Sequence, residues 1–150
     1  MKNIILSFLL GFIVVGCAAK VPMDSIDNDK NLKEFNPPPE GKSGVYVYRD
    51  SLLGRALTKR VDINGKTIGE TAPDVFFYET IEPGSTTVAT QSEFSDNLLT
   101  FNAEKNKNHF VRQYIKIGVF IGGADLELVD EEKGKEGVLK TNLALSYSKQ

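Results

Sequence analysis

The reactive side chains of this sequence are few, and their scarcity bounds its chemistry. Cys17 is the single thiol, His109 the single imidazole, and there is no tryptophan. One cysteine cannot close a disulfide within the chain, so the fold must rest on packing. A Ser-His-Asp triad would have to use His109. That residue starts an expected strand beside a polar turn, and an exposed strand-end histidine is the preferred reading. One His and one Cys leave no ligand cluster for zinc, and no Asp-x-Asp-x-Asp-Gly loop offers calcium a site. Asp130-Glu131-Glu132 reads as the start of a helix, and Gly122-Gly123 lacks the Lys-Ser/Thr continuation of a phosphate loop. Carboxylates for a glycosidase pair are plentiful, but tryptophan platforms for a sugar are missing. The expectation is a non-enzyme with no catalytic residue, metal or cofactor; a hydrolase built around His109 is the weakest alternative.

Cys17 stands apart because of what precedes it. Lys2 is followed by an apolar run over 4–15, and small residues stand at Gly16, Ala18 and Ala19. This is the layout of a secretory signal peptide. The run is too short for a hydrocarbon core of ~30 Å, which needs about 20 residues. Val14-Val15-Gly16-Cys17 resembles, position by position, the processing motif of bacterial lipoprotein precursors. The resemblance implies a lipid on the Cys17 sulfur, cleavage between Gly16 and Cys17, and acylation of the new amino group. Two or more acyl chains make a stable membrane anchor. By the same analogy, Ala18 in place of Asp implies the outer membrane of a didermal host, with the domain in the periplasm.

The rest of the chain must carry and position this anchor. Losing 1–16, which holds Lys2 and no acid, moves the formal charge from −2 to −3. Such a chain has no basic face for nucleic acid and no polybasic patch for anionic lipid. Residues 17–43, with Pro37-Pro38-Pro39, read as the lipidated N-terminus and a Pro-rich flexible linker, spanning on the order of 30 Å as a coil. Phe35 is the residue there placed to dock on the domain.

Residues 44–150 then read as one domain of seven or eight short strands. Over 44–50, Val45 and Val47 alternate with Tyr46 and Tyr48, a strand with both faces in use. Asn64-Gly65 between 58–64 and 66–70 predicts a type I′ hairpin. Strands 74–81 and 85–91 should pair across Glu82-Pro83-Gly84, and 97–103 should pair with 108–117 across 104–107. A last strand over 124–129, a short helix from Asp130 and a frayed tail complete an all-β, antiparallel β-sandwich.

Three sets of residues are candidates for recognition. Tyr48, Arg49 and Arg112 would anchor a partner on a strand edge, since Tyr and Arg dominate interfaces. Residues 119–124 read as a buried strand turning at glycines, or else as an exposed apolar loop touching lipid or a partner. Phe76, Phe101, Phe110 and Phe120 would line a cavity if the sandwich carried a small apolar ligand.

The order of short motifs also suggests relatives. The stretch 35–43, Val45-Tyr46-Val47-Tyr48-Arg49, Val61-Asp62-Ile63-Asn64-Gly65-Lys66 with Ile68-Gly69, Pro83-Gly84 and His109-Phe110-Val111 is similar to a bacterial lipoprotein domain of unknown function. It also resembles the PEGA-type β-sandwich modules of cell-envelope proteins, although Gly69-Glu70-Thr71-Ala72-Pro73 is longer than their pattern. Neither resemblance implies catalytic residues. The expected role is a membrane-anchored envelope lipoprotein that binds an envelope protein or the cell wall, with the apolar-ligand carrier as the alternative.

Overall fold

The computed structural model describes residues 17–120 and 122–150. Gly16 and the apolar run over 4–15, on which the signal reading rests, lie outside them. Among the described residues, α1 (Ile26–Leu32) precedes β1 (Ser43–Arg49), β2 (Lys59–Ile63), β3 (Lys66–Thr71), β4 (Val75–Ile81), β5 (Gly84–Thr90), β6 (Asn97–Ala103), β7 (Asn108–Lys116) and β8 (Gly123–Val129). Helix α2 (Glu131–Leu139), a short β9 (Asn142–Leu143) and a 3₁₀ turn at Tyr147–Lys149 follow. The strands form two sheets, ordered β8-β7-β1-β4-β9 and β3-β2-β5-β6. The all-β sandwich expected from the sequence is therefore present, but with two parallel pairings, β1 with β7 and β4 with β9.

Side-chain pattern explains which strand joins which sheet. β1, β4 and β7 are apolar on both faces. Val45, Val47, Val75, Phe77 and Val111 point into the sandwich against Val61, Ile63, Ile68 and Val88. Tyr46, Tyr48, Phe76 and Phe110 point outward, beneath Val138 of α2 and Leu143, with Leu32 and Phe35 packed at the edge. Strands with two apolar faces need a layer on each side, so they gather at the centre of the sheet that the helices cover. β2, β5 and β6 alternate more, with one face partly open, and form the sheet that faces water.

This sorting overturns two expected hairpins. β4 and β5 do not pair across Pro83-Gly84; β4 lies between β1 and β9, whereas β5 lies between β2 and β6. Likewise β6 and β7 belong to different sheets, so the turn 104–107 is an arch between layers. The Asn64-Gly65 hairpin is found as expected, with φ of 49° and 77° as a type I′ turn needs.

Residues 18–43 are no tether. Ala19 N–H donates to Arg55 C=O at 2.7 Å, Asp24 N–H to Leu143 C=O at 3.0 Å, and Leu145 N–H to Pro22 C=O at 2.9 Å. Met23 bridges Ala144, and Val21 packs on the main core. Ser25 caps α1 by accepting from the Asn28 N–H, and Asp29 accepts from the Leu143 N–H at 2.8 Å. The expected docking of Phe35 is found, its ring 5.6 Å from Tyr46 and 6.0 Å from Phe110. These contacts are mostly backbone pairings, which leave no apolar periodicity in the sequence. The tail is ordered by the same strip of pairings rather than frayed.

Helix α2 begins where expected, with the Asp130 carboxylate accepting from the Lys133 N–H at 2.8 Å. Its glycines prove to be contact points. A Cβ on Gly134 would strike the Phe110 ring, and one on Gly137 the Tyr48 ring.

The pairings also define two ends of the sandwich. β1 and β7 both finish, and β4 and β8 both begin, at the end marked by Arg49 paired with Val75 and Lys116 paired with Gly123. Gln113 of β7 bonds Thr71 and Thr90, which brings the ends of β3 and β5 to that same end. It thus carries the loops 50–58, 72–74, 91–96 and 117–122, and is called the loop end below. The Asn64-Gly65 turn and the 104–107 arch lie at the other.

Candidate functional site

Cys17 is exposed, and the chain joins the fold at Ala19, two residues later, through its hydrogen bond to Arg55 in the loop 50–58. The point where a lipid would be attached is therefore at the loop end. The loops there are held by two polar side chains, one fully buried and one half-buried.

Arg49 is the first. It is fully buried, and its guanidinium donates to the C=O groups of Leu57 and Gly54 at 2.7 Å and of Leu53 at 3.3 Å. Burial lowers its pKa, partly countered by Asp74. The planar fork of Arg suits this task, since it reaches three carbonyls from one position. Arg49 thus folds the loop 50–58 over itself. Lys59 follows that loop and is also buried; its pKa is lowered by burial and by Arg49, against a raising effect of Glu93.

Glu93 is the second. Its carboxylate accepts the N–H of Val119 at 2.8 Å and that of Phe120, which ties the loop 91–96 to the loop after β7. Phe94 meets Phe120 edge-on, with centroids 6.5 Å apart at 81°. The result is a knob of apolar side chains on the surface. Phe94 is 80 % exposed, Val119 77 % and Phe120 82 %, and Ile117, Leu52 and Leu53 are also exposed at this end. Below the knob a buried polar chain bolts the sheets together. Gln113 donates to Thr90 at 2.6 Å, and Thr71 donates to Gln113.

Several sequence expectations fail against this geometry. Tyr48 and Arg49 form no partner surface. Tyr48 is roofed by Gly137 of α2, and burial, with Asp50 adding to it, pushes its pKa up to about 12. Only Arg112 of that trio reaches solvent, and it is paired with Asp50 at 2.8 Å, whose hydrogen bond raises its pKa. Residues 119 and 120 are exposed rather than part of a buried strand, so the apolar-loop alternative describes them. The four phenylalanines do not converge. Phe76 and Phe110 lie under α2, Phe101 packs against the core between the sheets, and Phe120 is in the knob. An open groove of about 380 Å³ lies between α1 and β4, with Asn28, Asn31, Tyr78 and Lys149 among its lining.

His109 is placed at the strand start, as expected. Its Nε2 accepts the Glu104 N–H at 2.9 Å, and its ring lies 5.3 Å from Phe101. That bond makes it a brace for the 104–107 arch. Among the described residues, no three His, Cys, Asp or Glu side chains gather as a metal site would require.

Sequence reasoning missed Glu93, Phe94 and Gln113. Phe94 carried a usable signal, being a large aromatic within a polar turn, Ser92-Glu93-Phe94-Ser95-Asp96. Glu93 and Gln113 act through long-range bonds that no local pattern announces.

Residues 39–124 match the family described as "Protein of unknown function (DUF2846)". The chain is also 49 % identical over 135 residues to an "Uncharacterized protein" of Haemophilus influenzae (strain ATCC 51907 / DSM 11121 / KW20 / Rd), an alignment covering 90 % of this chain and 80 % of that protein. No solved structure matches. The matched family is the unknown-function domain; the likeness to PEGA-type modules stays a resemblance. With a match across more than half of its length and a relative of this identity, the chain belongs to the DUF2846 family.

Proposed function

We propose that this protein is a lipoprotein of the bacterial cell envelope, held to a membrane through acylated Cys17, with a non-enzymatic domain that serves a structural or partner-binding role in the periplasm. One observation carries the reading. The single thiol follows an apolar run and Val14-Val15-Gly16, and it is exposed where the fold begins. A signal peptidase and acyltransferases need such a site, free of the packed domain. Ala18 at the next position favours the outer membrane in a didermal host. The only imidazole bonds a backbone amide, which supports a role without catalysis.

The test is metabolic labelling with an alkyne fatty acid, followed by membrane fractionation of the wild type and Cys17→Ser. The wild type should be labelled and sediment with membranes, whereas Cys17→Ser should be unlabelled and keep its uncut N-terminus. Label retained in Cys17→Ser would refute the anchor. Ala18→Asp should shift the protein toward the inner membrane, and equal distribution of the two forms would refute the outer-membrane assignment.

A further inference from the structure

We infer that the loop end of the sandwich lies directly on the lipid surface, with Phe94, Val119 and Phe120 inserted among the lipids as a second, non-covalent contact. The inference rests on acylation of Cys17 and adds orientation to it.

Reach is the first argument. Ala19 is fixed to Arg55, so only two peptide steps of about 3.8 Å separate the lipid-bearing residue from the folded loop end. A module tethered so closely cannot stand off by the ~30 Å that a flexible linker of residues 17–43 would allow. Whatever faces the leaflet must belong to this end.

The second argument is what that end presents. Six large apolar side chains come from three loops: Leu52 and Leu53, then Phe94, then Ile117, Val119 and Phe120. Exposed apolar side chains gathered at one end of a fold, with Phe94 and Phe120 in edge-on contact, mark a contact site. Three features favour lipid as its occupant. Two backbone amides of the tip, those of Val119 and Phe120, are met by the Glu93 carboxylate, and unmet amides are a chief cost of putting a loop into lipid. Three carboxylates of this end are ion-paired, Asp50 with Arg112, Asp96 with Arg60 and Asp125 with Lys116. Lys20 and Arg55 are exposed beside the anchor, where anionic headgroups would lie. A second copy of the chain would need the same end free, and the short anchor holds it against the bilayer.

The absence of tryptophan makes a direct test possible. Acylated protein bearing Phe120→Trp, or Phe94→Trp as a second variant, is placed in vesicles of phosphatidylethanolamine and phosphatidylglycerol containing brominated lipid. Lys105→Trp, exposed in the arch at the opposite end, is the reference. Emission from position 120 or 94 should move to shorter wavelength and be quenched several-fold more than emission from position 105. Equal quenching at both ends overturns the inference. So does a shift to shorter wavelength that grows with protein density but is insensitive to bromine, since that would mean a second copy covers the knob. The mass of the N-terminal peptide separates the two readings. Acylated Cys17 with an unquenched knob refutes only the insertion, whereas unmodified Cys17 refutes both.

Discussion

Gly137→Ala should destabilise this protein even though alanine is the better helix former. In an exposed helix interior the exchange would gain about 1 kcal/mol, because glycine loses more backbone freedom on folding. Here Gly137 faces Tyr48, which is 1 % exposed. A Cβ at 137 would lie inside contact distance of the ring carbons and 2.8 Å from the hydroxyl, whereas ordinary contact starts near 3.4 Å. The ring must therefore retreat by about 0.6 Å at the hydroxyl, and further at the carbons, or α2 must lift. Neither is easy, because Tyr48, the penultimate residue of β1, is paired on both sides, with Phe76 of β4 and Arg112 of β7. Overpacking of this kind costs about 1–3 kcal/mol. After the helix gain, a net loss of up to about 2 kcal/mol is expected, or several degrees in Tm for a domain of this size.

Urea unfolding followed by far-UV circular dichroism measures the loss, and near-UV signals report the tyrosine environment. Tyr48→Leu combined with Gly137→Ala should recover part of the loss, because a smaller side chain admits the methyl group; a coupling of about 0.5–3 kcal/mol is expected for residues in contact. If Gly137→Ala alone raises the midpoint and leaves the near-UV spectrum unchanged, α2 does not sit on Tyr48 and the account of the outer core fails.

Three further outcomes are expected. Arg49→Met removes the donors that hold the Leu53, Gly54 and Leu57 carbonyls, so stability should fall by about 1–3 kcal/mol with faster amide exchange in 51–58; unchanged exchange would refute its role in folding that loop. Burial raises the pKa of Tyr48 to about 12 and that of Tyr46 higher still, so the stability their neutral forms contribute is intact below the unfolded value of 10.0 and lost as pH rises through the folded values. Phenolate absorbance of both should therefore rise together with alkaline unfolding, and titration of either in the native fold below pH 10 would contradict their burial. Asp24 is shifted down: burial raises its pKa, but bonds from Asn28 and the Ser25 amide, with Lys149 nearby, outweigh this. Its charged form therefore stabilises the fold above 3.8, and that stability is lost as pH falls through the folded value, so Asp24→Asn should flatten the acid limb of urea midpoints.

What could be read from the sequence was local. The Val45–Tyr48 alternation announced a strand buried on both faces, Asn64-Gly65 announced its turn, and Asp130 with two glutamates announced α2. Each of these signals lies within a few residues of the structure it specifies. What failed was long-range. Pro83-Gly84 looks the same whether it closes a hairpin or carries the chain between sheets. The choice is made by the need of Phe76 and Phe77 for an apolar layer on each side of β4. Residues 18–43 looked like a linker because they dock through Ala19, Asp24 and Asp29 hydrogen bonds to distant loops and strands. Arg49 looked like an interface residue because its three acceptors are carbonyls, which have no sequence signature.

The corrected N-terminus changes what the anchor would do. A flexible linker would only retain the domain, leaving every face equally open to a partner. With Cys17 acylated, a docked strip that begins at Ala19 would make the loop end the lipid-facing end and turn the Asn64-Gly65 hairpin and the 104–107 arch away from the membrane. Arg49 and Glu93, although buried or engaged, then acquire a purpose beyond stability, since they hold the apolar side chains of three loops outward against their tendency to fold back on the core. Side chains as large as Phe94 and Phe120 would otherwise lower their free energy by withdrawing from water. Keeping them exposed has a cost that a monomer in water does not recover, and contact with lipid is what would offset it.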